Sequence, residues 1–514
     1  MNRKFIILLI ALTLISITAV CASENATDVV SEQTIGEVDA DSLQAVDEGE
    51  GEPVLANASV DEPVEKAASK ITSSKVTGYE SFKTSATFVL TSDNKPLASK
   101  KISIKIDGVT YNKTTNKDGK VTLNLNLKKG TYNTEFSYGG DNTTNSSKGK
   151  STIVIKEPTK TKLKIGDKDI NYRQGSKCLF YVKLLTRDDK PIKNQMVTIK
   201  VAGKTYKVKT NKKGIAKIYL NLKKGKRTVK YSFKKNAPYL SSSGSFKIKV
   251  RAKIPKGNGY WLWPKHMHSV SLKSLASKGT KHILLHVQAI SVYGKSSVVS
   301  FIKKAHKYGM KVHLWMQVCC IGETWTSPEN KDGSIKYGFL NSKINEAKRY
   351  AKIKGVDGIH FDYVRFGGTA HLYKHPEKPL NYFAKKASTA IHKIKPNCIV
   401  SAALMPEPSA MLYYYGQDVP AMSKYMDVLI PMVYKGNYHQ NTKWIKSVTK
   451  TFVKQSNGAQ LWTGLQSYVS DDNTQKLSQK ALLKDAKAAK DGGAKGVVLF
   501  RIGISCNFNF KKVF

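Results

Sequence analysis

Two hydrophobic periods divide the chain. Between about residues 67 and 252, apolar and polar positions alternate over short stretches, as in Ile102-Ser103-Ile104-Lys105-Ile106 and Val121-Thr122-Leu123-Asn124-Leu125. A period of two predicts strands with one buried face. Clusters such as Asp93-Asn94-Lys95-Pro96 and Asn116-Lys117-Asp118-Gly119 read as turns between them. From about 256 onward, short apolar runs alternate with amphipathic stretches of helical period. Eight strands are expected there, at Tyr260–His266, Ile283–Ala289, Val312–Val318, Gly358–Phe366, Cys398–Met405, Val428–Tyr434, Gln460–Gln466 and Gly496–Arg501. Helices are expected at Val298–Tyr308, Ile344–Lys354, Tyr382–Ile394, Trp444–Lys454 and Leu477–Asp491. Strands that are apolar nearly throughout, each followed by a helix, predict a parallel sheet covered on both faces.

The first region repeats itself at a spacing of 95 residues. Asp93-Asn94-Lys95-Pro96 returns as Asp188-Asp189-Lys190-Pro191, and Leu125-Asn126-Leu127-Lys128-Lys129-Gly130 returns as Leu220-Asn221-Leu222-Lys223-Lys224-Gly225. Several strands in about 90 residues fit a β-sandwich. The repeats, at 67–157 and 158–252, resemble the immunoglobulin-like modules of bacterial invasins and of adhesin-like surface proteins of methanogenic archaea. The expected architecture is therefore multidomain: two all-β immunoglobulin-like sandwiches followed by an α/β (β/α)8 TIM barrel at 256–514.

In such barrels the chemistry sits at the carboxyl ends of the strands. The residues that fall there are few carboxylates and many aromatics. Asp362 ends strand four, Glu407 follows strand five, and Glu323 lies in the loop after strand three. Glycosidic cleavage needs two carboxyl groups about the bond, so Asp362 and Glu407 are the candidate catalytic pair with Glu323 in reserve. Asp362 is the candidate nucleophile or charge stabiliser, and Glu407 the candidate general acid. Trp263, His266, Gln317, Tyr363, Arg365, Tyr434, Tyr438, Gln466 and Arg501 are candidate substrate-binding residues, the aromatics by stacking on sugar rings.

The run Gly355-Val356-Asp357-Gly358-Ile359-His360-Phe361-Asp362-Tyr363-Val364-Arg365-Phe366 resembles the strand-four motif of a family of (β/α)8 glycoside hydrolases, G-x-D-x-I-x-F-D-Y-V-R-F-P. Asp427-Val428-Leu429-Ile430-Pro431-Met432-Val433-Tyr434 resembles that family's strand-six segment, and Gly416-Gln417-Asp418 and Gly493–Phe500 resemble further pieces. The resemblance implies hydrolysis of a polysaccharide with Asp362 as a catalytic carboxylate. The family usually carries an Asp two residues after the Ser-Ala of strand five. Here Ser401-Ala402 runs into Ala403, so Glu407 is the candidate replacement. Against the chitinase pattern D-G-x-D-x-D-x-E, His360 and Val364 stand where an Asp and the acid Glu belong.

Two rival functions stay open. One is a non-catalytic glycan-binding adhesin. The other is a metal-dependent hydrolase, since His266-Met267-His268 ends strand one. The matching ends of strands five, six and eight offer Met405, Tyr434 and Arg501 rather than ligands. No metal or cofactor is expected.

The amino-terminal pattern makes an exported protein the expectation. Met1-Asn2-Arg3-Lys4 precedes an apolar run from Phe5 to Val20, and a cut after Ala22 gives an export signal at 1–22. The run is short for a membrane span of about 20 residues, so no stable span is expected unless the signal stays uncleaved. Residues 23–66 are acidic and poor in aromatics, as in a disordered spacer. Five cysteines remain, with no C-x-x-C, which excludes a disulfide scaffold. The net charge of +47 favours a polyanionic partner. Without a nucleic-acid-binding motif, that partner is expected to be an anionic cell wall or surface glycan rather than nucleic acid. The reading is a secreted or cell-surface glycosidase on a β stalk.

Overall fold

The computed structural model describes residues 65–514, and the expected export signal and all but the end of the acidic spacer lie outside them. The chain is multidomain. In the first β unit, the sheet containing Thr84–Ser92 and Lys120–Leu125 shares a core with the sheet containing Lys101–Ile106, Gly130–Tyr138 and Ser147–Lys156. Phe88, Leu90, Ile104 and Phe136 meet at its centre. The second unit repeats the arrangement. Met196–Val201, Ile215–Leu220 and Gly225–Phe233 stand 95 residues after their counterparts. The spacing seen in the sequence is thus a spacing of strands.

The last region is a nine-stranded parallel sheet. Its strands are β1 (Gly259–Leu262), β2 (His282–His286), β3 (Lys311–Gln317), β4 (Gly358–Asp362), β5 (Ile399–Leu404), β6 (Val428–Pro431), β7 (Gln460–Leu461), β8 (Thr463–Gln466) and β9 (Val497–Phe500). They run in the order β7-β6-β5-β4-β3-β2-β1-β9-β8. The two end strands are consecutive in the chain and separated by Trp462 alone, so the sheet curls into a nearly closed barrel. Helices α1 (Leu272–Ser277), α2 (Gln288–Lys307), α3 (Tyr337–Ala351), α4 (Glu377–Ile394), α5 (Val419–Met422), α6 (Thr442–Gln455) and α7 (Gln479–Asp491) connect the strands. One apolar core joins strands to helices. A second, holding Trp261, Leu284, Trp315, Ile430 and Trp462, fills the interior of the curl.

Each expected strand is present, with shifted ends. The first stops at Leu262 because Pro264 opens a 3-10 turn. The second stops at His286, where α2 takes over. The fourth stops at Asp362 because Tyr363 takes a left-handed φ of 53°. Four of the five expected helices begin earlier than expected, at Gln288, Tyr337, Glu377 and Thr442, and the fifth begins two residues later, at Gln479.

The interior also holds three buried histidines. His282 and His313 share a hydrogen bond of 2.9 Å, and His360 Nδ1 bonds Ser401 Oγ at 3.0 Å. His313 Nδ1 and His360 Nε2 have no partner. Burial holds His282 and His360 well below the ordinary 6.5 and His313 at about 4.

The second β unit is joined to the barrel through Asp427, which precedes β6 and is fully buried. Its Oδ2 accepts from Arg173 Nη2 at 2.8 Å, His392 Nε2 at 2.9 Å and the Val400 amide at 2.8 Å. Its Oδ1 accepts from Arg173 Nε and Asn171 Nδ2. Arg173 Nη2 also donates to the Cys398 carbonyl at 3.0 Å. Burial raises the pKa of Asp427, but Arg173 and His392 hold it well below the carboxylate range. Around this pair, Lys385 reaches Asp167 at 3.1 Å and Asp169 at 3.2 Å, and Tyr425 donates to Asp167. The second unit is bonded to the amino end of the barrel.

Two outcomes follow. Arg173→Met leaves Asp427 buried without its cation, and denaturant unfolding should show a loss of about 3–5 kcal/mol. The interior histidines must stay neutral in the fold and charge on unfolding. Stability should therefore be full above pH 6.5 and fall progressively towards pH 4, as thermal melts across that range would record.

Candidate active site

A cleft of about 810 Å³ opens at the carboxyl ends of the strands. Adjacent strands build its floor. The register pairs His286 of β2 with Trp315 of β3, and Gln317 of β3 with Asp362 of β4. These four side chains reach one end of the curl, and Trp263, just beyond β1, joins them. Trp263 lies 4.6 Å from His286 and 4.9 Å from Trp315, ring centre to ring centre. The wall opposite is Tyr434, stacked on Phe500 at 5.7 Å.

Asp362 is 8% exposed. Its Oδ2 accepts from Trp315 Nε1 at 3.0 Å and its Oδ1 from the Tyr363 amide at 2.8 Å. The left-handed turn at Tyr363, a conformation costing about 1–3 kcal/mol, ends the strand and brings that amide back to the carboxylate. Burial raises the pKa of Asp362. The Tyr363 amide, the charge of Arg365 and the Trp315 N–H oppose the rise without cancelling it.

Arg365 lies over Trp325 at 4.7 Å, Tyr363 at 5.2 Å and Tyr415 at 5.6 Å. Its Nη1 donates to the Phe366 carbonyl at 3.1 Å, while its buried Nε has no partner. A cation spread over ring faces is held by both charge and dispersion.

Of the expected site residues, Asp362, Trp263, Gln317, Tyr363, Arg365 and Tyr434 line this cleft. The other six do not. Glu407 is half-buried beside Tyr415 and Tyr438, whose hydroxyls donate to its Oε1 at 3.0 and 2.8 Å. Its Oε2 is unpartnered, and burial raises its pKa. Glu323 is exposed on its loop. Gln466 is turned to Asn437, with its Nε2 2.7 Å from Asn437 Oδ1. Tyr438 stacks on Trp444 at 5.5 Å. His266 abuts Gly503, and Arg501 lies beside Phe500.

Among the lining groups that sequence reasoning missed are Trp315, His286, Glu346 and Asp471. Trp315 lies two residues before Gln317, on the same face of β3, and strand parity could have found it. His286 was hidden by a strand end drawn three residues too late. Glu346 comes from α3 and is held by Lys343 Nζ at 3.2 Å and the Tyr350 hydroxyl at 2.9 Å. Asp471 follows β8, accepting from Tyr468 at 2.6 Å and Asn437 Nδ2 at 2.8 Å. The cleft therefore holds three carboxylates, Asp362, Glu346 and Asp471. His286 is tucked between the tryptophans with Nε2 unpartnered, and burial pushes its pKa down to about 4. Among the described residues, no cluster of three or more His, Cys, Asp and Glu could hold a metal ion. No helix there is long and apolar enough to cross a membrane.

A raised carboxyl pKa is a stability statement. The fold disfavours ionised Asp362, so its contribution is most favourable below the ordinary carboxyl range and is lost as pH rises through the raised value. The melting temperature of the wild type relative to Asp362→Asn should therefore climb as pH is lowered from 7 towards 4.

No protein-family model and no curated protein matches this chain. Among solved structures it is similar to the spore cortex-lytic enzyme SleL of Bacillus megaterium QM B1551, at 13% identity over 52% of this chain and 77% of that one, TM-score 0.36. An endo-1,4-beta-D-mannanase of Thermotoga petrophila RKU-1 matches at 14% identity over 48% and 88%, TM-score 0.35. Fibronectin(III)-like modules of Clostridium thermocellum CbhA match at 13% identity over 36% and 95%, TM-score 0.24. Likenesses this distant carry no argument about the reaction, which rests on the cleft itself.

Proposed function

We propose that residues 256–514 form a (β/α)8 barrel that hydrolyses glycosidic bonds of a polysaccharide, behind two immunoglobulin-like sandwiches, in an exported protein of the cell surface. One observation carries the reading. Asp362 stands at the carboxyl end of β4, buried on the floor of an aromatic cleft, with its pKa raised by burial. A carboxyl group whose pKa is raised holds its proton to higher pH than a free one, and that proton can be given to the leaving glycosidic oxygen. Asp362 is thus assigned as the general acid rather than the nucleophile. Trp263 and Tyr434 offer flat apolar faces for the sugar rings. Hydrolysis needs a second carboxylate, ionised, to activate water or attack the sugar carbon. Glu346 and Asp471 line the same cleft and are the candidates. Glu407, tied to two tyrosine hydroxyls behind Arg365, is assigned to positioning that cation.

A second reading has its own observation. Glu346 is already engaged by Lys343 and Tyr350, and Asp471 by Tyr468 and Asn437. If neither is released, the cleft binds glycan without cutting it.

The test is to incubate the full chain with cell-wall and amino-sugar polysaccharides and measure new reducing ends. Asp362→Asn should abolish release, by about 100-fold or more for loss of a general acid, with binding retained. Glu346→Gln or Asp471→Asn should match that loss. Unchanged hydrolysis in Asp362→Asn would overturn the assignment. Binding without release by the wild type would favour the second reading.

A further inference from the structure

The two β units share one fold but not one charge. Residues 67–157 carry 15 basic and 7 acidic side chains, whereas residues 158–252 carry 27 basic and 4 acidic. Much of that difference lies on one sheet face. Lys204–Lys209, Met196–Val201, Gly225–Phe233 and Ser242–Val250 form a four-stranded antiparallel sheet. Its inner face holds Val197, Ile199, Val229, Tyr231 and Ile248. By alternation, its outer face holds Lys200, Lys207, Lys209, Lys226, Lys230, Lys247 and Lys249, all exposed, among Ser and Thr. None has a carboxylate within 4.0 Å among the described residues.

The first unit shows that the fold does not demand this. At the matching positions it has Lys105, Asn112, Thr114, Thr131, Glu135, Thr152 and Val154. There Glu135 sits opposite both Lys105 and Lys150, pairing with the latter at 2.8 Å. In the second unit Lys230 replaces that Glu and faces Lys200, and Lys226 faces Lys249. Like charges directly opposite each other destabilise a sheet. The second unit has accumulated lysine against its own stability, which points to an external counter-charge.

We infer that this sheet face docks an anionic polysaccharide. Same-face side chains recur about every 7 Å along a strand and about 5 Å across strands, so the face is a grid of point charges suited to a polymer with repeated carboxylate or phosphate groups. It has no aromatic ring on which bases would stack. Met196 is its sole large apolar side chain, too little for insertion into a lipid layer. The unit sits at the amino end of the barrel, through Arg173 and Asp427, while the cleft opens at the carboxyl end. The face therefore anchors the protein on one polymer and leaves the cleft directed elsewhere. The inference does not depend on the cleft being hydrolytic.

The test uses the full chain and polygalacturonate, with pullulan as neutral control, phosphatidylglycerol vesicles and duplex DNA alongside. In the variant K226T/K230E/K249V, three positions take the first unit's residues. Relief of repulsion should raise its melting temperature, so lost binding would not reflect misfolding. The control K70Q/K117Q/K128Q/K148Q removes the same net charge from the first unit. The wild type should bind polygalacturonate with an affinity that falls as salt rises, and not pullulan. The face variant should bind about tenfold more weakly or worse, and the control should bind like the wild type. Equal losses in both variants would reduce the effect to net charge and overturn the inference. So would wild-type binding to vesicles or DNA but not to polygalacturonate, or to none of them.

Discussion

The arrangement of this chain depends on one buried carboxylate. Asp427 sits where β6 enters the barrel and collects donors from three directions: the second β unit through Arg173 and Asn171, α4 through His392, and β5 through the Val400 amide. An ionised carboxylate out of water is tolerable only when its lone pairs are filled by well-placed donors. That requirement specifies geometry as much as energy. The β unit, the helix and the strand must all be in place for the charge to be satisfied. The short segment between the second unit and β1 reinforces this, with the Gly257 amide bonded to the Lys495 carbonyl at 3.0 Å.

The opposite end of the barrel follows another rule. There the strand ends bring polar groups together without filling them. His286 Nε2 and Arg365 Nε are buried and unpartnered, and Asp362 has a raised pKa despite two N–H donors. At the amino end every lone pair of the carboxylate is used for structure. At the carboxyl end, hydrogen-bonding capacity and a displaced pKa are left over, which is what a site that receives a polar ligand requires.

The motifs divide in the same way. Asp357 holds His306 at 2.6 Å, Lys311 at 3.2 Å and the Val312 amide at 2.9 Å below β4. Gln417 clasps the chain after β4 and β5, donating to the Val364 carbonyl at 3.1 Å and accepting from the Met405 amide at 3.0 Å. Asp418 caps α5. Of the acidic residues in the recognisable segments, Asp362 alone reaches the cleft. The others hold the strands in the register that brings it there.

Local pattern was enough to reveal the β repeats, their 95-residue spacing, the strand–helix alternation and Asp362 at a strand end, because strand parity and helical period are written within a few residues. Strand ends were less legible, since a proline turn or a left-handed Tyr363 acts through backbone geometry. What the sequence could not show was which side chains from distant segments converge. Glu346 reaches the cleft from a helix and Asp471 from a loop, while Glu407, plausible by position, is turned to two tyrosines. Nor could it show that Arg173 and Asp427, 254 residues apart, form one ion pair. Such contacts are decided by how helices and β units pack around the sheet, where burial and the need to satisfy each buried charge select one arrangement from many that local pattern allows.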